Sequence, residues 1–219
     1  MDKKWCEKTK ISAQELSSLK TILSFLCDNP QELGWRGKNK PDPTDKNDHE
    51  IIGLKYLKSI RKDIYPKSPS TIPDQMVSEI LDIYFKYPRE KLDQMKLEHQ
   101  HSMAAENAIG TLLEKYIDGV ARNYGWVHCS GELVKKVDFI KEDNGAYRLL
   151  QVKNRDNSEN SSSSAIRNGT TIEKWFRSFS RSGRTNWESF PDKQLSQVLN
   201  EKEFLQFVQT SYGSMKSKE

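Results

Sequence analysis

The sequence lacks what would tie it to a membrane or a disulfide scaffold. No apolar run among its 219 residues approaches the length of a bilayer span. The opening segment MDKKWCEKTK carries charge where a secretory signal would carry an apolar stretch and a cleavage site. Cysteine is scarce and odd in number. Cys6, Cys27 and Cys129 are widely spaced with no CxxC pair, which argues against a disulfide frame or a zinc site. They are expected to be reduced thiols in a cytoplasmic protein. His99 and His101 lie in a polar run and His128 adjoins Cys129; neither group has metal-binding spacing, so both are expected to be structural or exposed. Internal repeats are missing too, and the one low-complexity segment is Ser161 to Ser164.

What is present is a globular composition with a polar surface. Charged residues make up 30% and hydrophobic ones 35%, while 10% aromatics are too many for wholesale disorder. Net charge is +4, and its placement is informative. Between Gln151 and Arg184 seven Lys/Arg face three acids, which accounts for the whole excess. A local basic field suits a polyanionic partner, although a solvated surface would look the same.

Helical spacing of Leu16, Leu19, Ile22, Leu23 and Leu26 predicts a helix from about Ser12 to Leu26, ended by Asp28-Asn29-Pro30. Gly34 to Asp48 reads as a loop, and Glu50 to Ile60 as a second helix. Asp74 or Thr71 caps a third, running through Phe85. Ser102 opens the longest amphipathic segment, with Met103, Ile109, Leu112, Leu113, Tyr116, Ile117 and Val120 on one stripe and Gly125 closing it. Trp126 to Cys129 reads as a short strand and Asp192 to Val208 as a last helix.

Two strand-like runs, Leu133 to Ile140 and Ala146 to Lys153, flank Asn144-Gly145, the strongest short signal for a two-residue hairpin turn. With that turn Asp143 pairs with Ala146 and, counting back, Asp138 faces Gln151. Lys153 points to the same side. Val137, Phe139, Leu150 and Val152 take the other face as core. A bulge would upset this register. An acid beside Q-x-K is the set that metal-assisted phosphodiester cleavage needs. Asp138 offers a hard oxygen to Mg²⁺, and Lys153 can stabilise developing negative charge or help deprotonate water. Gln151 adds only a neutral oxygen, so a further carboxylate is expected from the long helix: Glu106, with Glu114 as the alternative. Taken alone, such a hairpin is more often just a cross-strand salt bridge, and Glu106 an edge residue.

Helix with Glu, strand with Asp, turn, strand with Q-x-K resembles the PD-(D/E)xK nuclease superfamily. QVKNRDNSENSSSSAIRNGTTIEKWFR from Gln151, with AENAIGTLLEKYI upstream, is similar to the SinI-type family of type II restriction endonucleases. The similarity covers about Met103 to Arg184, and the serine run with RNGT and KWFR is its most specific part. The superfamily usually has Asp or Glu where this chain has Gln151, which puts a second metal in doubt.

The resemblance implies an α/β (α+β) fold: a mixed central sheet flanked by helices, with a helical N-terminal region at 1–95 and a nuclease core at 96–219. It implies a homodimer cutting both strands of a short palindrome in double-stranded DNA with Mg²⁺, at sites of the GG-(A or T)-CC kind, beside a cognate DNA methyltransferase. Catalytic residues would be Asp138, Gln151, Lys153 and Glu106, with Asp138 and Glu106 on the metal. The recognition loop would span 154–184. Arg167 is the first candidate for a bidentate guanine contact, followed by Asn154, Arg155 and Asn168. Ser161, Ser162, Ser163 and Ser164 would meet base edges, and Arg177, Arg181 and Arg184 phosphates. Trp175, Phe176 and Phe179 sit at helical spacing and are taken as packing. A structure-specific nuclease of the same core, or a DNA-binding module with a degenerate site, are the other readings.

Overall fold

The computed structural model describes residues 1–67, 70, 72, 74–130, 132–156 and 171–213. It is a mixed α/β structure: α1 (Lys3–Thr9), α2 (Ala13–Asp28), α3 (His49–Ile60), α4 (Gln75–Ile83), α5 (Arg89–Ala121), β1 (Trp126–His128), β2 (Phe139–Asp143), β3 (Ala146–Arg155), β4 (Ile172–Ser178) and α6 (Glu201–Gly213). The chain divides into two compact units, one of Met1–Lys62 with Leu113–Glu219 and one of Asp63–Leu112. The expected boundary between residues 95 and 96 thus falls inside α5, and the first 62 residues cluster with the sheet.

The larger unit is built on a four-stranded sheet in the order β1-β2-β3-β4, antiparallel except for the parallel β3–β4 pair. Asn144 and Gly145 have φ of 51° and 78°, the two positive values that a two-residue I′ turn requires. Asp143 pairs with Ala146 and the register runs to Phe139 opposite Leu150, as the turn predicts.

Below α2 and α3 lies one core. Ser12 and Glu15 close a capping box at 2.8 and 3.1 Å, setting the phase of α2 so that Leu19, Ile22, Leu23 and Leu26 are buried. They cluster with Ile52, Tyr56, Leu57 and the sheet residue Ile140. Gly53 is required there, since a Cβ would come within 2.8 Å of Trp5. The alternate residues Phe139, Leu150, Val152 and Trp175 fill the other side of the sheet, with Trp187 and Phe190 against Trp175.

Four expectations are corrected. The strand expected from Leu133 begins only at Phe139; the residues before it turn, Val134 bridges to Leu33, and Val137 joins the α2–α3 core in place of the Phe139 face. KWFR is strand β4, not helix, because pairing along β3 overrides three aromatics whose spacing also fits a helical turn. The last helix starts at Glu201: Asp192 is held by Trp126 Nε1 at 2.9 Å and Lys141 Nζ at 3.0 Å. The long helix begins at Arg89, well before Ser102.

The smaller unit comprises α4 and the first part of α5. Asp74 caps α4 by accepting from Met76 N–H at 2.9 Å, and Arg89 pairs with Asp82 at 2.5 Å. No helix among the described residues is long and apolar enough to cross a membrane.

Candidate active site

The ladder between β2 and β3 changes character at Asp138. The regular register stops at Phe139. Asp138 N–H donates to the Leu150 carbonyl at 2.9 Å, its own carbonyl accepts from Cys129 N–H at 2.7 Å, and its Oδ2 accepts from Val152 N–H at 2.8 Å. The carboxylate is therefore clamped at the sheet end by its neighbours' main chain. The strict Asp138–Gln151 pairing expected from the turn is replaced by this shifted contact.

Asp138 is only 7% exposed. Burial pushes its carboxyl well above the usual aspartate range, and the Glu114 carboxylate pushes it further; the Val152 N–H, Lys153 and His128 pull the other way. Such a group ionises only around neutrality, and a bound cation would favour its charged form.

Gln151 and Lys153 lie two residues apart on β3 and so share a face. Gln151 is buried, Lys153 half-buried. Across the parallel pair Gln151 stands beside Lys174 and Lys153 beside Phe176. Burial and the Lys153 charge lower the Lys174 ammonium below the ordinary lysine value. Two cations thus stand together on the face that bears Gln151.

The helix carboxylate in this cluster is Glu114. It meets His128 Nε2 at 3.1 Å, and His128 in turn rests on Phe139 with ring centres 5.0 Å apart. Glu106, the first choice from sequence, is exposed. The buried line there is Ala104 and Ala108, and a residue two positions from each points to the other side of the helix. His128 was expected from sequence to be structural or exposed, and Lys174 entered only the charge tally; neither was assigned to the site. The place of His128 became visible only with the β1–β2 pairing, which sets it opposite Phe139.

On the expected DNA side the residues separate. Ser161, Ser162, Ser163, Ser164, Arg167 and Asn168 lie outside the described residues. Arg177 is turned inward: its Nε donates to Asn154 Oδ1 at 2.9 Å, it pairs with Glu201, and it lies over the Phe204 ring at 5.4 Å. Strand alternation explains this, because Arg177 follows buried Trp175 by two. Asn154 is engaged with it. Arg155, Arg181 and Arg184 are exposed, the last with its guanidinium 4.8 Å above Phe179 on the turn after β4.

No group of three His, Cys, Asp or Glu side chains among the described residues is arranged to hold a metal. Magnesium needs less. It takes one or two carboxylates and keeps several waters. Asp138 and Glu114 supply two hard-oxygen groups, close enough for the Glu114 charge to act on Asp138. The donor set fits a hydrated divalent ion.

The sequence profile of the SinI restriction endonuclease family matches residues 3–214. The type II restriction enzyme Eco47I of Escherichia coli is 46% identical over 199 residues, covering 89% of this chain and 86% of Eco47I. The type II restriction enzyme SinI of Salmonella infantis is 46% identical over 193 residues, 87% of this chain and 81% of SinI. The likeness takes in the N-terminal helices as well as the strands that carry the acid, the amide and the lysine. The chain therefore belongs to the SinI restriction endonuclease family and is a type II restriction endonuclease.

Proposed function

We propose that the chain hydrolyses phosphodiester bonds in double-stranded DNA at a short palindromic site of the GG-(A or T)-CC kind, with Mg²⁺, as a homodimer inside the cell, its own genome being protected by a cognate methyltransferase. The observation that carries the reading is the buried Asp138 carboxyl, raised by its surroundings and by Glu114, with the Lys153 cation acting on it.

Asp138 and Glu114 would hold the ion; when bound it polarises the phosphate and lowers the pKa of a coordinated water. Lys153 stabilises the charge that develops on the phosphate oxygens. Gln151 orients by hydrogen bonding, since its neutral amide adds no charge to the metal site. Lys174 keeps the same face positive. His128 holds Glu114 in place. The exposed Arg155, Arg181 and Arg184 suit phosphate contacts along the duplex, and Arg167, Asn168 and the serines remain candidates for base contacts.

Incubating the protein with plasmid and Mg²⁺, then sequencing the ends, tests this. Discrete fragments with one palindromic sequence at every cut support it. Smearing, or cleavage that follows branches and ends, favours a structure-specific nuclease. Binding without cutting favours a DNA-binding module.

A further inference from the structure

The cations of the recognition segment lie along one stretch of sequence, but a second set becomes visible only in the fold. Residues 32–34 are fastened to 132–135 by main-chain bonds: Gly34 N–H to Leu133 O at 2.8 Å and Lys135 N–H to Glu32 O at 2.9 Å. The approach is so close that a Cβ on Gly34 would stand 2.5 Å from the Glu132 carbonyl. This seam lines an open cleft of about 540 Å³ with Trp35, Arg36, Lys55, Lys135 and Lys136, and Glu132 is the acid among the lining residues. Lys55 is fixed in it, donating to the Gly34 carbonyl at 2.5 Å with its ammonium 4.7 Å from the Trp35 ring. Lys135 and Lys136 also line an adjoining cleft that runs along Tyr147, Leu149 and Ile172 to Thr171, inside the segment expected to read DNA. Lys136 takes φ of 62°, a left-handed turn that leads straight into Val137 and Asp138. Two residues span at most about 7 Å, so Lys136 stands within a phosphate or two of the bond that Asp138 would address.

We propose that the cleft of Arg36, Lys55, Lys135 and Lys136 binds the sugar-phosphate backbone of the duplex beside the scissile bond, joining the N-terminal loop to the active site. This rests on the nuclease reading for the ligand, while the cleft itself stands on geometry. Burial lowers the Lys55 ammonium, the Glu132 carboxylate works against that, and the nearby Arg36 charge adds to it. Contacts of this kind position DNA without reading sequence.

The test is a salt titration of binding to a fluorescein-labelled 30-base-pair duplex in EDTA, for wild type, Arg36→Gln and Arg36→Gln/Lys136→Gln. A plasmid digest with Mg²⁺ is run beside it. Each lost phosphate contact should lower the slope of log K against log salt by about 0.9. The double variant should bind about tenfold or more weakly near 100 mM salt while cutting at unchanged sequences. Arg36 is on an exposed loop, so its single variant serves if the double fails to fold. Wild-type slope and affinity in folded variants would overturn the cleft's role and leave the nuclease reading intact. Wild-type protein that neither binds nor cuts DNA would overturn both.

Discussion

The two ends of the β2–β3 hairpin follow different rules. At the Asn144-Gly145 end the ladder is regular, the side chains are mostly solvated, and everything is set by the residues in the turn. At the Asp138 end the ladder breaks, a carboxylate enters the sheet's main-chain bonding, and groups from α5, β1 and β3 gather around it. The first end is stable because its parts agree locally. The second is held in an unfavourable state, with a buried acid near another acid, because the surrounding fold imposes it.

Changes at the Asp138 end should therefore hurt chemistry and spare the fold. Lys153→Ala should cut plasmid cleavage by about 10²–10⁴-fold while duplex binding in EDTA persists; undiminished turnover would remove Lys153 from catalysis. Asp138→Asn should lose cleavage to a similar degree yet melt no lower than wild type at pH 8 in EDTA, because an amide oxygen can still accept from Val152 N–H without a buried charge.

A packing change should do the reverse. Trp175→Ala, which empties the core against Trp187 and Phe190, should destabilise by about 3–5 kcal/mol in denaturant titration. If the variant is as stable as wild type, β4 is not seated on this core.

The pH dependence is smaller and has a definite sign. Asp138 is raised in the folded state, so its contribution favours folding below the ordinary aspartate range and is lost as pH climbs through the folded value of about 7. In EDTA the melting temperature should fall across this interval. Mg²⁺ should flatten that fall, and Asp138→Asn should remove its share. Smallest of all, Gly145→Ala at φ of 78° should cost about 1 kcal/mol and leave cleavage unchanged. A large loss of activity there would mean that the turn and the site are coupled.

The same contrast explains what could be read from sequence. Asn144-Gly145 fixes φ locally, so the register was legible, and with it Gln151 and Lys153 on one face. The helix from about Ser12 to Leu26 was legible for the same reason, since its apolar spacing is local. Glu114 over Glu106 depended on which carboxylate of α5 meets His128 and acts on Asp138, a tertiary fact that helical spacing does not carry. Trp175, Phe176 and Phe179 satisfy helical spacing; Trp175 and Phe176 are in a strand because β3 lies alongside. Arg177 counted as a free cation in the charge tally, yet Asn154 and Glu201 claim it. Conversely Arg36 and Lys136, a hundred residues apart, add nothing to a local tally and meet only in three dimensions.

The proposed chemistry turns on an Asp138 carboxyl that burial and Glu114 raise to about 7 and that a divalent cation would bring back down. Carbon-13 NMR of its side-chain carboxyl, titrated with and without Mg²⁺, addresses that directly. Titration near neutrality is expected in the metal-free protein, with a lower value in Glu114→Gln and ionisation at pH 6 once Mg²⁺ is added. A carboxyl that titrates near 4 in the free protein and does not respond to Mg²⁺ would contradict it.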